Sequence, residues 1–189
     1  MKYLFLSLIL FIAVPIHQSQ ARNPVDEIVA VLQRMPHDTR RVSHADLEVI
    51  ADAIYRVSRG SQLISWQILV SIAHKESAFH KGAIGPTKDV GLMQISPRNI
   101  KRMGLDRKRL LTDPEYSLEV ALELLEYNKT RFHRYPFWIG IYQVGTRIHD
   151  PHRRLMAKNY HRSIQKRLKT IAKIQQDLHT EGKSLFALR

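Results

Sequence analysis

Apolar residues recur at helical spacing along most of this chain, and the pattern breaks once, between Gly82 and Gly91. That interruption constrains the fold more than any other feature. Three of the eight glycines (Gly82, Gly85 and Gly91) fall there together with Pro86, and turn formers at that density stop a helix. The stretch 82–96 therefore reads as loops or a small irregular β insertion. Helices are predicted on both sides of it. Pro24 to Met35 opens with proline and two acids and stops before Pro36. Ser43 with Asp46 resembles a capping box for a second helix, running to about Arg59 and ending at Gly60. Ser61 to Glu76 gives a third, with Leu69, Ile72, Ala73 and Glu76 on one face. Ser96-Pro97 opens a short helix ending at Gly104, and Thr112 with Glu115 opens a long one through about Phe132. Pro136 to Val144 reads as a buried, aromatic-rich helix, and Asp150-Pro151 starts a final one reaching into the 170s. The sum is one mainly α domain of α+β character over residues 22–189, with a basic C-terminal helix from about 151.

The first residues follow a different logic. Met1-Lys2 supply a positive start, and Tyr3 to Ile16 (YLFLSLILFIAVPI) is almost unbroken apolar sequence. That run is shorter than the roughly 20 residues a membrane-spanning helix needs. Small residues then stand at Ser19 and Ala21, so residues 1–21 have the layout of a secretory signal peptide; a retained anchor is the alternative. No stable membrane insertion is expected once it is cut. The chain has no cysteine, which excludes disulfides, thiolate catalysis and cysteine zinc sites. Export without disulfides fits a bacterial periplasm, with extracellular release as the other route.

Thirty Lys and Arg face seventeen Asp and Glu, for a formal net charge of +13. Such an excess favours polyanionic partners. Pro151 to Gln175 carries basic residues and no acid: Arg154, Lys158, Arg162, Lys166, Lys169 and Lys173 recur at helical spacing, opposite an apolar stripe of Ala157, Tyr160, Ile164, Leu168 and Ile171. Either a solvated face of a docked helix or an attachment surface for an acidic polymer accounts for it. Nucleic acid is not expected, because no recognised binding motif accompanies the charge and export argues against it. The ten histidines include no H-E-x-x-H, and His149 and His152 merely flank an Asp-Pro turn, so neither a metal nor a cofactor is expected.

Glu76 is the residue with an unusual setting. It extends an apolar stripe, so its carboxylate should point inward, and it lies at a helix C-terminus where the macrodipole is negative. Burial and that dipole both disfavour the ionised form, while Lys75 and His80 act the other way. A carboxylic acid held protonated can donate to a glycosidic oxygen. A solvated glutamate on a frayed helix end is the plain alternative. Beyond the glycine-rich break, Gln94 in Gly91-Leu92-Met93-Gln94-Ile95 could hydrogen-bond an acetamido or hydroxyl group, and Met93 could pack on a sugar face or in the core. Trp138, Tyr142 and Gln143 would crowd a helix packing across from Glu76, offering flat apolar faces with polar tips. Asp89 is either a turn former or a second carboxylate.

Glu76-Ser77, Gly91-Leu92-Met93-Gln94-Ile95 and Tyr142-x-x-Gly145, in that order, resemble the soluble lytic transglycosylases with a goose-type lysozyme fold. The resemblance covers roughly Ser61 to Ile164. It implies a lysozyme-like fold in which Glu76 is the single catalytic acid/base. It further implies that Ser77, Met93 and Gln94 line the substrate groove, and that Tyr142 matches a tyrosine near the catalytic carboxylate. The implied substrate is peptidoglycan, cut between N-acetylmuramic acid and N-acetylglucosamine to leave 1,6-anhydro ends. Asp89-Val90 and Ser96 look most like the subgroup that accompanies secretion, conjugation or pilus machinery, whose components would be partners. Two departures stand out. Gln143 occupies a place where family members often have asparagine, and Ser96 a place where goose-type hydrolases carry an aspartate that positions water. A hydrolytic lysozyme, or a wall-binding scaffold of a secretion apparatus without turnover, are the competing functions.

Overall fold

The computed structural model describes residues 23–187, with side chains described as far as Glu181; the expected signal peptide, residues 1–21, lies outside the described residues. Eight α-helices and one 3-10 turn follow in order: α1 Pro24–Arg34, α2 His44–Ser58, α3 Trp66–Ser77, α4 Pro97–Met103, α5 Arg107–Thr112, α6 Pro114–Phe132, the 3-10 turn Trp138–Gly140, α7 Ile141–Val144 and α8 Pro151–Ala187. The architecture is mainly α. Within 82–96 the expected β insertion reduces to two isolated antiparallel bridges, Ile84 with Val90 and Val90 with Ile95.

Capping chemistry sets the boundaries. Asn23 and Pro24 open α1, and the capping box of Ser43 and Asp46 opens α2 with both reciprocal bonds in place. Three boundaries differ from those the sequence suggests. The third helix begins at Trp66, because the Ser61 hydroxyl accepts the backbone N–H groups of Leu63 and Ile64 at 3.1 and 2.9 Å and holds that segment as a turn. Asp113, and not Thr112, caps α6 by accepting the Tyr116 N–H at 3.1 Å, with Pro114 at the first helical position. Asp106 caps an additional short helix, α5, by accepting from Lys108 and Arg109. The segment 136–144 is also less regular than predicted, with the 3-10 turn preceding a single turn of α7.

The main core gathers α1, α2, α3, α6 and the inner face of α8, with Ile28, Leu32, Ile50, Ile54, Leu69, Ile72, Leu92 and Ile164 at 0 % exposure. α1 packs on α2, α2 on α6, and α8 runs across α3, the 3-10 turn and α7 before reaching α1. A smaller cluster of Phe137, Ile141, Val144, Ile148 and Ala157 closes the end where α7 meets α8. Gly140 makes that closure feasible: a Cβ there would lie 1.9 Å from the Ala157 carbonyl oxygen. Gly91 does the same for the irregular stretch. Its φ is +81°, and a Cβ would lie 2.0 Å from the Leu110 carbonyl oxygen.

Candidate active site

α3 carries Glu76 to the edge of a cavity. Leu69, Ile72 and Ala73 are fully buried, so their stripe fixes which way the next turn faces. The helix then stops without glycine. Ala78 and Phe79 both take positive φ (48° and 69°), and Phe79 is fully buried, with its ring 5.3 Å from that of His74. Burial of that phenylalanine offsets the strain of two successive left-handed residues and keeps Glu76 in the last helical turn. Glu76 ends partly buried in the wall of a cavity of about 370 Å³, together with Asp89, Gln94, Tyr142, Gln143 and Arg153 among others.

The carboxylate is held by a tyrosine. The Tyr160 hydroxyl, from α8, donates to Glu76 Oε1 at 2.5 Å. Burial raises the Glu76 pKa above the ordinary glutamate value; Asp89 adds to the rise, while the Tyr160 hydrogen bond, Lys75 and Arg167 oppose it. Tyr160 and Tyr142 are both driven well above the usual phenol range, first by burial and then by the Glu76 charge, so each stays a hydroxyl donor. Lys75 Nζ sits 5.1 Å from the centroid of the Tyr160 ring. Behind them Arg167 Nε donates to His74 Nδ1 at 3.0 Å, and His74 Nε2 lies 2.7 Å from the Pro36 carbonyl. An accepting Nδ1 puts the ring proton on Nε2, so His74 is the neutral tautomer here; burial lowers its pKa in the same sense.

Of the residues singled out from sequence, Gln94 and Tyr142 share the cavity with Glu76. Gln94 adopts a positive φ of 48°, and its amide nitrogen donates to the carbonyls of Ala83 and Gly91 at 3.1 and 3.0 Å, which locks the side chain across the turn. The Tyr142 hydroxyl donates to the Met93 carbonyl at 2.8 Å. Met93 itself is at 0 % exposure, so its thioether packs in the core and offers no surface to a sugar; it acts through its backbone. Ser77 is absent from the cavity lining. Its hydroxyl donates to the carbonyls of Ala73 and Leu92 at 3.1 and 2.8 Å, tying the end of α3 to the loop that bears Gln94. Trp138 also stays away from the cavity, with Lys129 Nζ 5.5 Å from its ring. Asp89 is in the cavity wall and accepts the Thr87 hydroxyl.

Tyr160 is the partner of Glu76 that the sequence pattern hides. Its position in the apolar stripe of α8 is indistinguishable from a core position. The usable signal was a phenol among aliphatic residues, since a buried hydroxyl needs a partner and the nearest candidate is an inward acid. Among the described residues, no three His, Cys, Asp or Glu side chains gather to hold a metal ion, and no helix is long and apolar enough to cross a membrane.

The family model of the transglycosylase SLT domain matches residues 57–167. Invasion protein IagB of Salmonella typhimurium is 35% identical over 109 residues, which are 53% of this chain and 66% of that protein, so the chain spans slightly less than two thirds of that relative. Protein IpgF of Shigella flexneri is 32% identical over 112 residues, covering 56% of this chain and 72% of that one. The crystal structure of the 70 kDa soluble lytic transglycosylase of Escherichia coli aligns with a TM-score of 0.45 at 20% identity, over 69% of this chain and 26% of that one. The matched span runs from the end of α2 into α8 and contains Glu76, Gln94, Tyr142 and Tyr160; the chain belongs to the transglycosylase SLT domain family, a lytic transglycosylase family.

Proposed function

We propose that this protein is a peptidoglycan lytic transglycosylase that cleaves the β-1,4 bond between N-acetylmuramic acid and N-acetylglucosamine, with Glu76 as its one acid/base. The observation that carries the proposal is a carboxyl whose burial favours its protonated form, fixed by the Tyr160 hydroxyl at 2.5 Å and open to a cavity. Protonated Glu76 donates to the glycosidic oxygen as the bond to the muramyl C1 breaks. The 2-acetamido group of the same sugar stabilises the positive charge developing at C1. Glu76, now ionised, removes the proton from the muramyl C6 hydroxyl, whose oxygen closes on C1 to form the 1,6-anhydro ring. The proton lost in the first half is regained in the second, so the enzyme ends as it began. Tyr160 steadies the ionised form by donating to it. Ser77 ties the loop of Gln94 to α3, and Tyr142 ties it to α7.

Export through the N-terminal signal segment would bring the enzyme to the periplasm, where its substrate lies. Service beside a secretion or pilus apparatus is supported by the similarity to a protein named for invasion and by the Asp89-Val90 and Ser96 pattern. The test is digestion of purified peptidoglycan with mass spectrometry of the new ends. Anhydro-muramic ends are expected from the wild type and none from Glu76→Gln. Reducing muramic ends would instead establish a lysozyme; the presence of Asp89 in the same cavity favours that second reading, because an inverting or retaining hydrolase uses two carboxylates. A zymogram lane with no cleared band would leave only a wall-binding scaffold.

A further inference from the structure

The cavity contains more positive charge than the proposed chemistry uses. Arg98, in the first turn of α4, and Arg153, in the first turn of α8, both contribute to its walls. Among the described residues neither forms an ion pair within 4.0 Å, and the Arg98 side chain makes no hydrogen bond. Arg153 Nη1 donates to the Val144 carbonyl at 2.7 Å, which fixes the guanidinium in place while its remaining N–H groups stay unspent. The surrounding sequence supplies little to counter them: Asp150 feels the Arg153 charge without forming an ion pair with it. Asp150 is the only acid from Tyr127 to Gln176, and its carboxylate accepts the backbone N–H groups of His152 and Arg153 at 2.8 and 3.1 Å. No acid lies between Asp89 and Asp106. The Asp106 carboxylate caps α5, and Arg107 beside it reaches the Lys88 carbonyl, adding another cation near the turn that bears Asp89. Asp89 is thus the opposing charge in the cavity, alongside Glu76, which burial biases toward its neutral form.

The hydroxyl and acetamido groups of the sugars need only the amides of Asn99 and Gln143 and the amide oxygen of Gln94 in the same walls. Two guanidiniums are suited to something else. Arginine forks match carboxylates, and in a stem-bearing strand the carboxylates sit on the peptide, because the muramyl lactyl acid is tied up in the amide bond to the stem. We infer that Arg98 and Arg153 form a carboxylate-binding subsite that holds the peptide stem of the strand being cut, so that stem-bearing strands are preferred to naked glycan. The inference rests on the proposed peptidoglycan reading.

The experiment compares three soluble substrates: stem-bearing glycan strands, the same strands with their stem carboxylates amidated, and strands stripped of stems whose freed lactyl carboxylates are also amidated. The rate of anhydro-end formation gives kcat/KM for each. The wild type should favour the first over the other two by about tenfold, mainly through KM, which is about 1.4 kcal/mol for the two partly exposed contacts together. Arg98→Gln and Arg153→Gln should each reduce that ratio to about threefold, and the double variant to near unity. Arg98 carries the test if Arg153→Gln misfolds through loss of its Val144 bond, and Arg153→Lys should retain part of the preference. Equal rates on all three substrates would overturn the subsite while leaving the proposed function intact. So would variants that keep the wild-type ratio. No cleavage of any substrate would overturn both.

Discussion

The two faces of α8 carry very different burdens. The inner face places Ala157, Tyr160, Ile164 and Ile171 at 2 % exposure or less, packs against α3 and the 3-10 turn, and delivers the hydroxyl that holds Glu76. The outer face presents Arg154, Lys158, Arg162, Lys166, Lys169 and Lys173 to solvent, with no acidic partner within 4.0 Å among the described residues. The exposed charges are numerous, yet they leave little trace at the site. One exception shows why: Arg167, which is half-buried and turned toward His74, does act on the Glu76 carboxyl. Distance and solvent decide which charges matter, and the number of charges does not.

The largest effect should come from breaking the inner seam. Gly140→Ala puts a methyl 1.9 Å from the Ala157 carbonyl, a backbone atom that cannot swing aside. Either the 3-10 turn or α8 must shift, with a loss of about 3 kcal/mol or more, read as a drop in Tm and in the urea midpoint. Tyr160 moves with α8, so activity should fall together with stability. Next in size is Tyr160→Phe, which keeps the ring and removes the hydroxyl. Here kcat should fall about 10- to 100-fold, and stability should change far less than in Gly140→Ala. The sign on pH is separate evidence. The Tyr160 bond lowers the Glu76 pKa, so its removal should shift the alkaline limb of kcat/KM upward. A lower kcat with an unmoved limb would mean that Tyr160 only packs.

The same contrast explains how far the sequence could be read. The helices of the inner core were legible because Leu69, Ile72 and Ala73 keep a strict helical period, and that period also turned Glu76 inward. The capping box of Ser43 and Asp46 is purely local and was equally visible. The start of α3 was missed because the Ser61 hydroxyl competes for backbone N–H groups that a helix would otherwise use. Met93 and Ser77 fell outside the cavity for a related reason. A motif records which residues belong near a site, but it does not distinguish a side chain that faces the ligand from one that ties two segments together. Tyr160 and Arg153 come from a helix far along the chain, and only the packing of α8 brings them to Glu76 and its cavity.

A smaller effect is expected from Asp89→Asn. Asp89 raises the Glu76 pKa, so its neutralisation should move the alkaline limb of activity downward, opposite to Tyr160→Phe. A double variant should fall between the two. Related logic applies to stability. A glutamate whose folded pKa lies above its unfolded value binds more protons folded than unfolded, so its contribution declines as pH rises from the ordinary glutamate range through the raised value. Glu76→Gln, which keeps the shape and cannot ionise, should therefore melt with the wild type at low pH and above it once that window is passed.

The smallest effect belongs to the outer face. Lys166→Gln and Lys173→Gln, singly or together, should change stability by no more than about 0.5 kcal/mol, because surface charges without partners contribute little to folding. Cleavage of short soluble strands should not change, since these residues do not touch the cavity. Binding to intact sacculi at low salt is the measurement that separates the two faces. If the stripe attaches the enzyme to the acidic wall, the lysine variants should bind more weakly, and the difference should vanish as salt screens it beyond a Debye length of about 8 Å. If binding is unchanged at low salt, the outer face serves only to keep the inner one docked and wetted, and every functional consequence of α8 runs through Tyr160, Arg153 and Arg167.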